Sequence, residues 1–195
     1  MKVGVLSVQG AVSEHVEMIN QALRDSGRKG HVVVVKNREQ MEGIDALIVP
    51  GGESTTISRL IDKQELRDVI VRRGQEGMPV MGTCAGCILM AKAGDEEVRK
   101  TDTKLLSLMG MKVVRNAFGR QRESFEVELD LSLFEDAFPG VFIRAPAITE
   151  VWGDCEVVAR LDEYVVMAQQ GNLLAIAFHP ELSGDSRVHR FFLDL

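Results

Sequence analysis

The sequence predicts an α/β fold in which a mostly parallel sheet is covered by helices. Two observations predict it. In the first half of the chain, short apolar runs alternate with segments whose apolar residues recur every three to four positions. The apolar runs are also continuous and rich in β-branched residues, which is typical of strands buried on both faces. The length of 195 residues suits a single domain spanning residues 1–195.

The first half of the chain supplies the parallel part of the predicted sheet. The predicted strands are residues 2–8, 31–36, 46–49 and 79–81. A helix is predicted over residues 12–24 and another over residues 87–91. Two further helical patterns begin at residues 57 and 66. Helices between strands indicate crossover connections, and these pair the strands in parallel.

The second half has a different pattern. Residues 94–104 are highly charged and are expected to form a loop. Short extended segments follow, and the chain closes with a short helix over residues 186–193. The extended segments are residues 112–115, 125–129, 141–143, 157–161, 165–170 and 173–178.

Composition excludes several classes of protein. With 45% hydrophobic and 27% charged residues, the chain is not disordered as a whole. Its net charge of −6 gives no general attraction to phosphate, so neither a nucleic acid nor a membrane is an expected partner. The longest uninterrupted apolar run, residues 173–178, is far shorter than the about 20 residues of a membrane-spanning helix. The three cysteines imply no disulfide framework, so we expect a cytoplasmic protein with reduced thiols.

The strongest local motif is Gly-Thr-Cys-Ala-Gly at residues 82–86, which follows a predicted strand and opens a predicted helix. This arrangement is a nucleophile elbow with Cys84 in the place of serine. Small neighbours are required because the turn is tight, and the helix that follows favours the thiolate. One alternative is a buried cysteine between packing glycines. Another is a redox pair of the C-x-x-C type, formed by Cys84 and Cys87.

A general base for Cys84 is sought among the four histidines. His179 ends a strong predicted strand and is followed by Pro180 and Glu181. A carboxylate two residues after an imidazole can hold its Nδ1–H and fix its orientation. Strand ends on the carboxyl side of a parallel sheet are where sites assemble. We therefore predict that Cys84, His179 and Glu181 converge as nucleophile, general base and orienting acid; a loop histidine without a catalytic role is the alternative.

The Pro-Gly-Gly-Glu-Ser segment at residues 50–54 also follows a predicted strand. Its glycines allow backbone N–H groups to point into a cleft, and acyl transfer needs such donors where the oxyanion develops. The N–H groups of Gly52 and Ala85 are the candidates. A simple strand-to-helix turn, with Ser54 or Thr55 capping the helix, is an alternative that can hold at the same time.

Together these motifs resemble the class I, triad-type glutamine amidotransferases. The match is closer to the glutaminase subunits of pyridoxal 5′-phosphate synthase, whose pattern is similar over residues 6–15, 50–56, 115–121, 124–126 and 141–146. The resemblance implies a flavodoxin-like three-layer fold. It also implies hydrolysis of L-glutamine to glutamate and ammonia, with the ammonia passing through a tunnel to a separate synthase subunit. No cofactor and no metal are expected for the glutaminase itself.

The resemblance further implies which residues bind glutamine. The substrate-binding residues would be Gly52, Glu53, Ser54, Arg115, Ile143 and Arg144. A guanidinium suits the α-carboxylate of glutamine, and a carboxylate such as that of Glu53 suits its α-ammonium group. Gln9, at the end of the first strand, is expected beside the Gly51-Gly52 loop. There it would help to set the orientation of that backbone peptide group when the synthase docks.

Two other functions compete with this hypothesis. The first is a thiol hydrolase that acts on an ester or a peptide. In α/β-hydrolases the acid precedes the histidine, whereas Glu181 follows His179. The second is a redox or non-catalytic partner module that uses Cys84 and Cys87.

Overall fold

In the computed structural model, which describes residues 1–119 and 123–195, strands and helices alternate through the first half of the chain. The strands are β1 (Lys2–Leu6), β2 (His31–Val35), β3 (Ala46–Val49), β4 (Val80–Thr83), β5 (Ala91–Gly94), β6 (Met109–Val114), β7 (Ser124–Leu129), β8 (Phe138–Ile143), β9 (Ala147–Val151), β10 (Glu156–Leu161), β11 (Tyr164–Gln170) and β12 (Leu173–Ile176). The helices are α1 (Val12–Asp25), α2 (Arg38–Glu42), α3 (Ser54–Lys63), α4 (Arg67–Gln75), α5 (Ala85–Met90), α6 (Glu96–Lys100) and α7 (Arg187–Asp194). None of the helices in these two ranges is long and apolar enough to cross a bilayer.

The central sheet has the strand order β2-β1-β3-β4-β12-β11-β9-β6-β5, with β10 paired to β11. The five strands from β2 to β12 are mutually parallel. Beyond β12, the pairs β12–β11, β11–β9 and β9–β6 are antiparallel, and β5 returns parallel to β6. A separate antiparallel hairpin joins β7 to β8. The predicted α/β class with a mostly parallel central sheet is confirmed.

Apolar side chains cover both faces of the sheet and make a three-layer structure. Successive residues of β3 point to opposite faces, so Leu47 joins one apolar cluster and Ile48 joins the other. Ile61 of α3 belongs to the first cluster, whereas Ile19 of α1 and Phe192 of α7 belong to the second. All four residues of β3 are buried, which explains its unbroken apolar sequence.

Several elements differ from the sequence prediction. Residues 94–104 were expected to be a loop, but they contain β5's last residue and helix α6. Asp95 caps that helix because its Oδ1 accepts from the N–H of Val98 at 2.9 Å, and Val98 is buried. Two short strands, β5 and β9, and the short helix α2 were not predicted. Helix α2 completes the crossover between β2 and β3, where the sequence had suggested two strands in direct succession.

Four adjacent parallel strands end at the same edge of the sheet. The register pairs Val49 of β3 with Gly82 of β4, and Thr83 of β4 with Ile176 of β12. The segments that follow β1, β3, β4 and β12 therefore begin side by side at the carboxyl edge. This is the place where parallel α/β sheets assemble their sites.

Candidate active site

Cys84 lies in a strained turn between β4 and α5. Its φ angle of 47° is in the left-handed region, which a residue with a Cβ adopts at a cost. The strained turn is stabilised by a hydrogen bond from the Cys84 N–H to the carbonyl of Ile176 at 2.8 Å. A Cβ on Gly86 would lie 2.0 Å from the carbonyl oxygen of Val49, so a glycine is required there for α5 to approach β3. The predicted elbow is thus present, with a backbone that presents the thiol at the sheet edge.

His179 follows β12 and is held against Cys84. Its N–H donates to the carbonyl of Val141 at 2.8 Å, and its Nδ1 lies 2.7 Å from Oε1 of Glu181. Pro180 begins one turn of 3-10 helix, which folds Glu181 back onto the imidazole. A Cβ on Gly51 would meet His179 Cε1 at 2.6 Å and Cys84 Cβ at 3.3 Å, so both side chains flank this glycine. The structure brings Cys84, His179 and Glu181 together.

The protonation state of His179 follows from its surroundings. Burial alone lowers the pKa of the imidazole, but its hydrogen bonds to Cys84 and Glu181 and the negative charges of these groups outweigh burial. The net effect raises the pKa of His179 to about 10. The imidazole of His179 is therefore protonated near neutral pH and can act as an acid beside Cys84.

The loop after β3 is held by residues that follow β1. The N–H of Ala11 donates to the carbonyl of Gly51 at 3.2 Å, and the N–H of Glu53 donates to Oε1 of Gln9 at 2.9 Å. Gln9 therefore lies beside the glycine loop, as the sequence predicted, and the group it holds is the Gly52–Glu53 peptide. The other candidate oxyanion donor, the N–H of Ala85, is at the first residue of α5, directly after Cys84.

A cavity of about 570 Å³ opens beside Cys84. Five predicted site residues line it with Cys84 and Ala85: Gly52, Glu53, Ser54, Arg115 and Arg144. Ile143 is close as well, because its carbonyl oxygen lies 3.9 Å from the Cys84 sulfur. The cavity is large enough for an amino acid of the size of glutamine.

Glu53 both lines the cavity and caps α3. Its carboxylate accepts hydrogen bonds from the N–H groups of Thr55 and Thr56 at 3.0 and 2.7 Å and from the Thr56 hydroxyl at 2.7 Å. Partial burial raises the pKa of Glu53, but these hydrogen bonds outweigh it and lower the pKa to about 2. The expectation that Ser54 or Thr55 caps the helix is wrong, because Glu53 is the N-cap residue. Ser54 Oγ is instead buried, without a hydrogen-bond partner in the described part of the chain.

Arg115 is positioned by residues 94–104, the segment that the sequence predicts to be a loop. Its guanidinium pairs with Glu53 at 3.2 Å and lies 3.4 Å from the hydroxyl of Thr101. Its backbone N–H donates to Oδ2 of Asp95 at 2.9 Å. Asp95 therefore caps α6 and anchors Arg115 at the same time. The Asp-Glu-Glu-Val-Arg-Lys pattern at residues 95–100 is the capping signal that could have indicated this helix.

Arg144, the remaining predicted substrate-binding residue, is exposed. The Arg144 side chain is 73% exposed and lies 3.9 Å from Glu123 at the rim of the cavity. Arg120 and Gln121, within one of the resembling blocks, lie outside the described residues. In ranges 1–119 and 123–195, no three His, Cys, Asp or Glu side chains are arranged to hold a metal ion.

The geometry does not favour the redox alternative. Cys84, Cys87 and Cys155 are all free thiols. Cys87 is fully buried, and burial raises the pKa of its thiol far above the ordinary value, so its thiolate is disfavoured. Cys84 faces His179 instead. A thiol–disulfide exchange site would need an accessible thiolate.

Two buried histidines behind the triad were not recognised as part of the site from the sequence. His15 of α1 and His189 of α7 are fully buried, and their nitrogens Nδ1 and Nε2 lie 3.2 Å apart. His15 Nε2 lies 3.5 Å from Oε2 of Glu181. No local motif could have indicated this contact, because it depends on how α1 and α7 pack on the sheet.

Comparison with known proteins gives a consistent result. The model of the SNO glutamine amidotransferase family matches residues 5–195. The pyridoxal 5′-phosphate synthase subunit PdxT of Archaeoglobus fulgidus is 55% identical over 195 residues, covering 100% of this chain and 98% of the relative. The subunit of the same name from Methanosarcina barkeri is 47% identical over 194 residues and covers 100% of this chain and 97% of the relative. A solved structure described as a glutamine amidotransferase superposes with a TM-score of 0.86 at 43% identity, covering 98% of this chain and 97% of that one.

Proposed function

The chain belongs to the SNO glutamine amidotransferase family, and from that membership and the site geometry we propose that it hydrolyses L-glutamine to L-glutamate and ammonia. In this proposal it is the glutaminase subunit of a pyridoxal 5′-phosphate synthase, and residues 1–195 act as one glutaminase domain. The observation that carries the proposal is the convergence of Cys84, His179 and Glu181 beside a cavity of amino-acid size.

The reaction begins with attack of the Cys84 thiolate on the side-chain amide carbon of glutamine. The N–H groups of Gly52 and Ala85 hold the oxyanion of the tetrahedral intermediate. His179 then protonates the leaving nitrogen, and ammonia departs as the C–N bond breaks and the thioester remains. In the second half, His179 takes a proton from water as that water attacks the thioester. Glutamate leaves, and the proton returns to the Cys84–His179 pair.

Glu181 keeps the imidazole in the correct orientation through both halves of this reaction. Its Oε1 is 2.7 Å from His179 Nδ1, so Nδ1 carries the proton and Nε2 is directed to the reacting atoms. The order of the residues, with the acid two positions after the histidine, separates this site from that of α/β-hydrolases. The thiol hydrolase alternative therefore gains no support from the geometry.

Glutamine binding is assigned to the polar lining of the cavity. Arg115 is the proposed partner of the substrate α-carboxylate, with Arg144 at the rim. Ser54 contributes a hydroxyl that has no partner elsewhere in the described residues. The Glu53 carboxylate already accepts several hydrogen bonds, so we assign it two tasks: it holds Arg115 in place and provides negative charge near the substrate ammonium group.

The acceptor of ammonia is the proposed synthase partner. The Ile143 and Leu182 side chains are exposed, the first in a residue beside Cys84 and the second directly after Glu181 in the chain, and both suit a protein contact. Gln9 is the proposed gating residue, because it holds the Glu53 N–H and thereby affects the Gly52–Glu53 peptide. We also propose a cytoplasmic location, since the three cysteines are unpaired, as in proteins of reducing compartments.

The test measures glutamate formation from glutamine with and without the synthase subunit. We expect the partner to stimulate turnover, Cys84→Ala to abolish it, and the matched control Cys155→Ala to retain it. Gln9→Ala should remove the stimulation by the partner. Glutamate release by the Cys84→Ala variant would end the proposal, and full stimulation of Gln9→Ala would refute the gating role alone.

A further inference from the structure

The carboxylate of Glu181 has two oxygens, and the proposed mechanism uses one of them. Oε1 accepts from His179, whereas Oε2 is buried with no hydrogen-bond partner in the described residues. The group that faces Oε2 is His15 of α1, whose Nε2 lies 3.5 Å away. The same nitrogen is 3.0 Å from the Thr83 hydroxyl, one residue before the nucleophile. A buried carboxylate needs such a facing donor or cation, because an unmatched charge is costly in the interior.

His15 and its neighbour His189 are both neutral. Burial lowers the pKa of His15 well below its ordinary value, and the electrostatic effect of the neighbouring imidazoles of His189 and His179 lowers it further. Burial lowers the pKa of His189 to about 3. Each ring therefore carries one N–H, and which nitrogen carries it is decided by the surroundings.

Two tautomeric arrangements satisfy the 3.2 Å contact between His15 Nδ1 and His189 Nε2. In the first, His15 donates from Nδ1. His189 then carries its proton on Nδ1, which has no acceptor in the described residues, and a His15 lone pair faces the Glu181 carboxylate. In the second, His189 donates from Nε2, and His15 carries its proton on Nε2, directed at Thr83 and Glu181. The second arrangement leaves no buried N–H unpaired and no lone pair against a carboxylate, so it is favoured.

We propose that His15 is a positioning residue for the triad: held as its Nε2–H tautomer by His189, it directs that N–H at Oε2 of Glu181 and keeps the carboxylate aligned on His179. This inference rests on the proposed glutaminase function and extends it to residues from the first and last helices. The packing of α1 against α7 thereby holds Glu181 in position, although the triad residues themselves follow β4 and β12. His15 acts through Glu181 and does not touch the substrate.

The kinetic test compares His15→Leu, which removes the donor, with His15→Gln, whose amide N–H can replace it. Loss of the only N–H that faces the buried Oε2 of Glu181 among the described residues predicts that His15→Leu lowers kcat by about 10-fold or more, with little change in KM for glutamine. His15→Gln should recover most of this loss. In a Glu181→Ala background, His15→Leu should have little further effect on kcat, because its point of action is gone. All variants are assayed as full chains with the synthase subunit, with thermal unfolding as the check on folding.

The spectroscopic test needs no substitution and therefore does not depend on a variant folding. Nitrogen chemical shifts of histidine-labelled wild-type protein report which ring nitrogen is protonated, with exposed His31 as the internal reference. We expect His15 as the Nε2–H tautomer. The Nδ1–H form or an imidazolium at His15, or an equal kcat loss from His15→Leu in both backgrounds, would overturn the inference. If Glu181→Ala itself kept full glutaminase activity, the proposed triad would fail instead.

Discussion

Replacing Gly86 with alanine tests whether the close approach of α5 to β3 positions the nucleophile. The added Cβ would lie 2.0 Å from the Val49 carbonyl oxygen and 2.9 Å from its carbonyl carbon. Ordinary contact begins at 3.4 Å, so the backbone must separate by 3.4 − 2.0 = 1.4 Å. Overpacking of this kind costs about 1–3 kcal/mol of unfolding free energy. A displacement of about 1 Å at a catalytic group lowers the rate by about 100-fold.

The assay measures glutamate formation in the presence of the synthase subunit and the thermal unfolding midpoint of each variant. The matched control is Gly43→Ala, because a Cβ there meets its nearest neighbour at 3.6 Å and the backbone has a φ of −88°. We expect the control to match the wild type in both measurements. If Gly86→Ala also matched the wild type, the described contact between α5 and β3 would not be what positions Cys84.

Three further predictions concern pH and substrate affinity. The pKa of Glu53 is lowered from 4.5 to about 2, so its stabilising contribution is present above pH 4.5 and lost as the pH falls toward 2. Glu53→Gln should therefore lower the free energy of unfolding by about 1 kcal/mol at neutral pH. Urea titrations should show this difference from the wild type vanish in acid. The pKa of His179 is raised from 6.5 to about 10, so its contribution to the free energy of unfolding is present below pH 6.5 and lost as the pH rises through 10. The difference in this free energy between the wild type and His179→Asn should change in that window. A difference that stays constant with pH would contradict the described environment of His179. Asp95→Ala should raise KM for glutamine by about 10-fold through the loss of the Arg115 anchor, whereas Glu96→Ala on the same helix should leave KM unchanged in steady-state assays.

The sequence predicts the part of the site that depends on local signals. Apolar runs followed by small residues mark where strands end, and the sheet brings those ends together at one edge. This is why Cys84 and His179, far apart in the chain, could be placed side by side before the structure was known. The glycine loop at residues 50–54 and the position of Gln9 follow from the same reasoning, since β1, β3, β4 and β12 are neighbours.

The features that the sequence does not predict depend on contacts between distant segments or on weak local signals. The 94–104 region is highly charged, and this masked a capped helix whose single buried residue, Val98, gives little periodicity. Strand β5 has the sequence Ala-Lys-Ala-Gly, which has little β propensity, and it forms because β6 is available as a partner. The contact between His15 and His189 joins residues 174 positions apart and cannot be inferred without the packing of their helices.

The central claim is that Cys84 is the nucleophile toward the side chain of glutamine. It is tested most directly by incubating the chain and its synthase partner with an electrophilic glutamine analogue and mapping the adduct by peptide mass spectrometry. We predict a single adduct on Cys84, suppressed by excess L-glutamine and formed much more slowly by His179→Asn. An adduct on Cys87 or Cys155 instead, or labelling of Cys84 that excess glutamine does not suppress, would contradict the account.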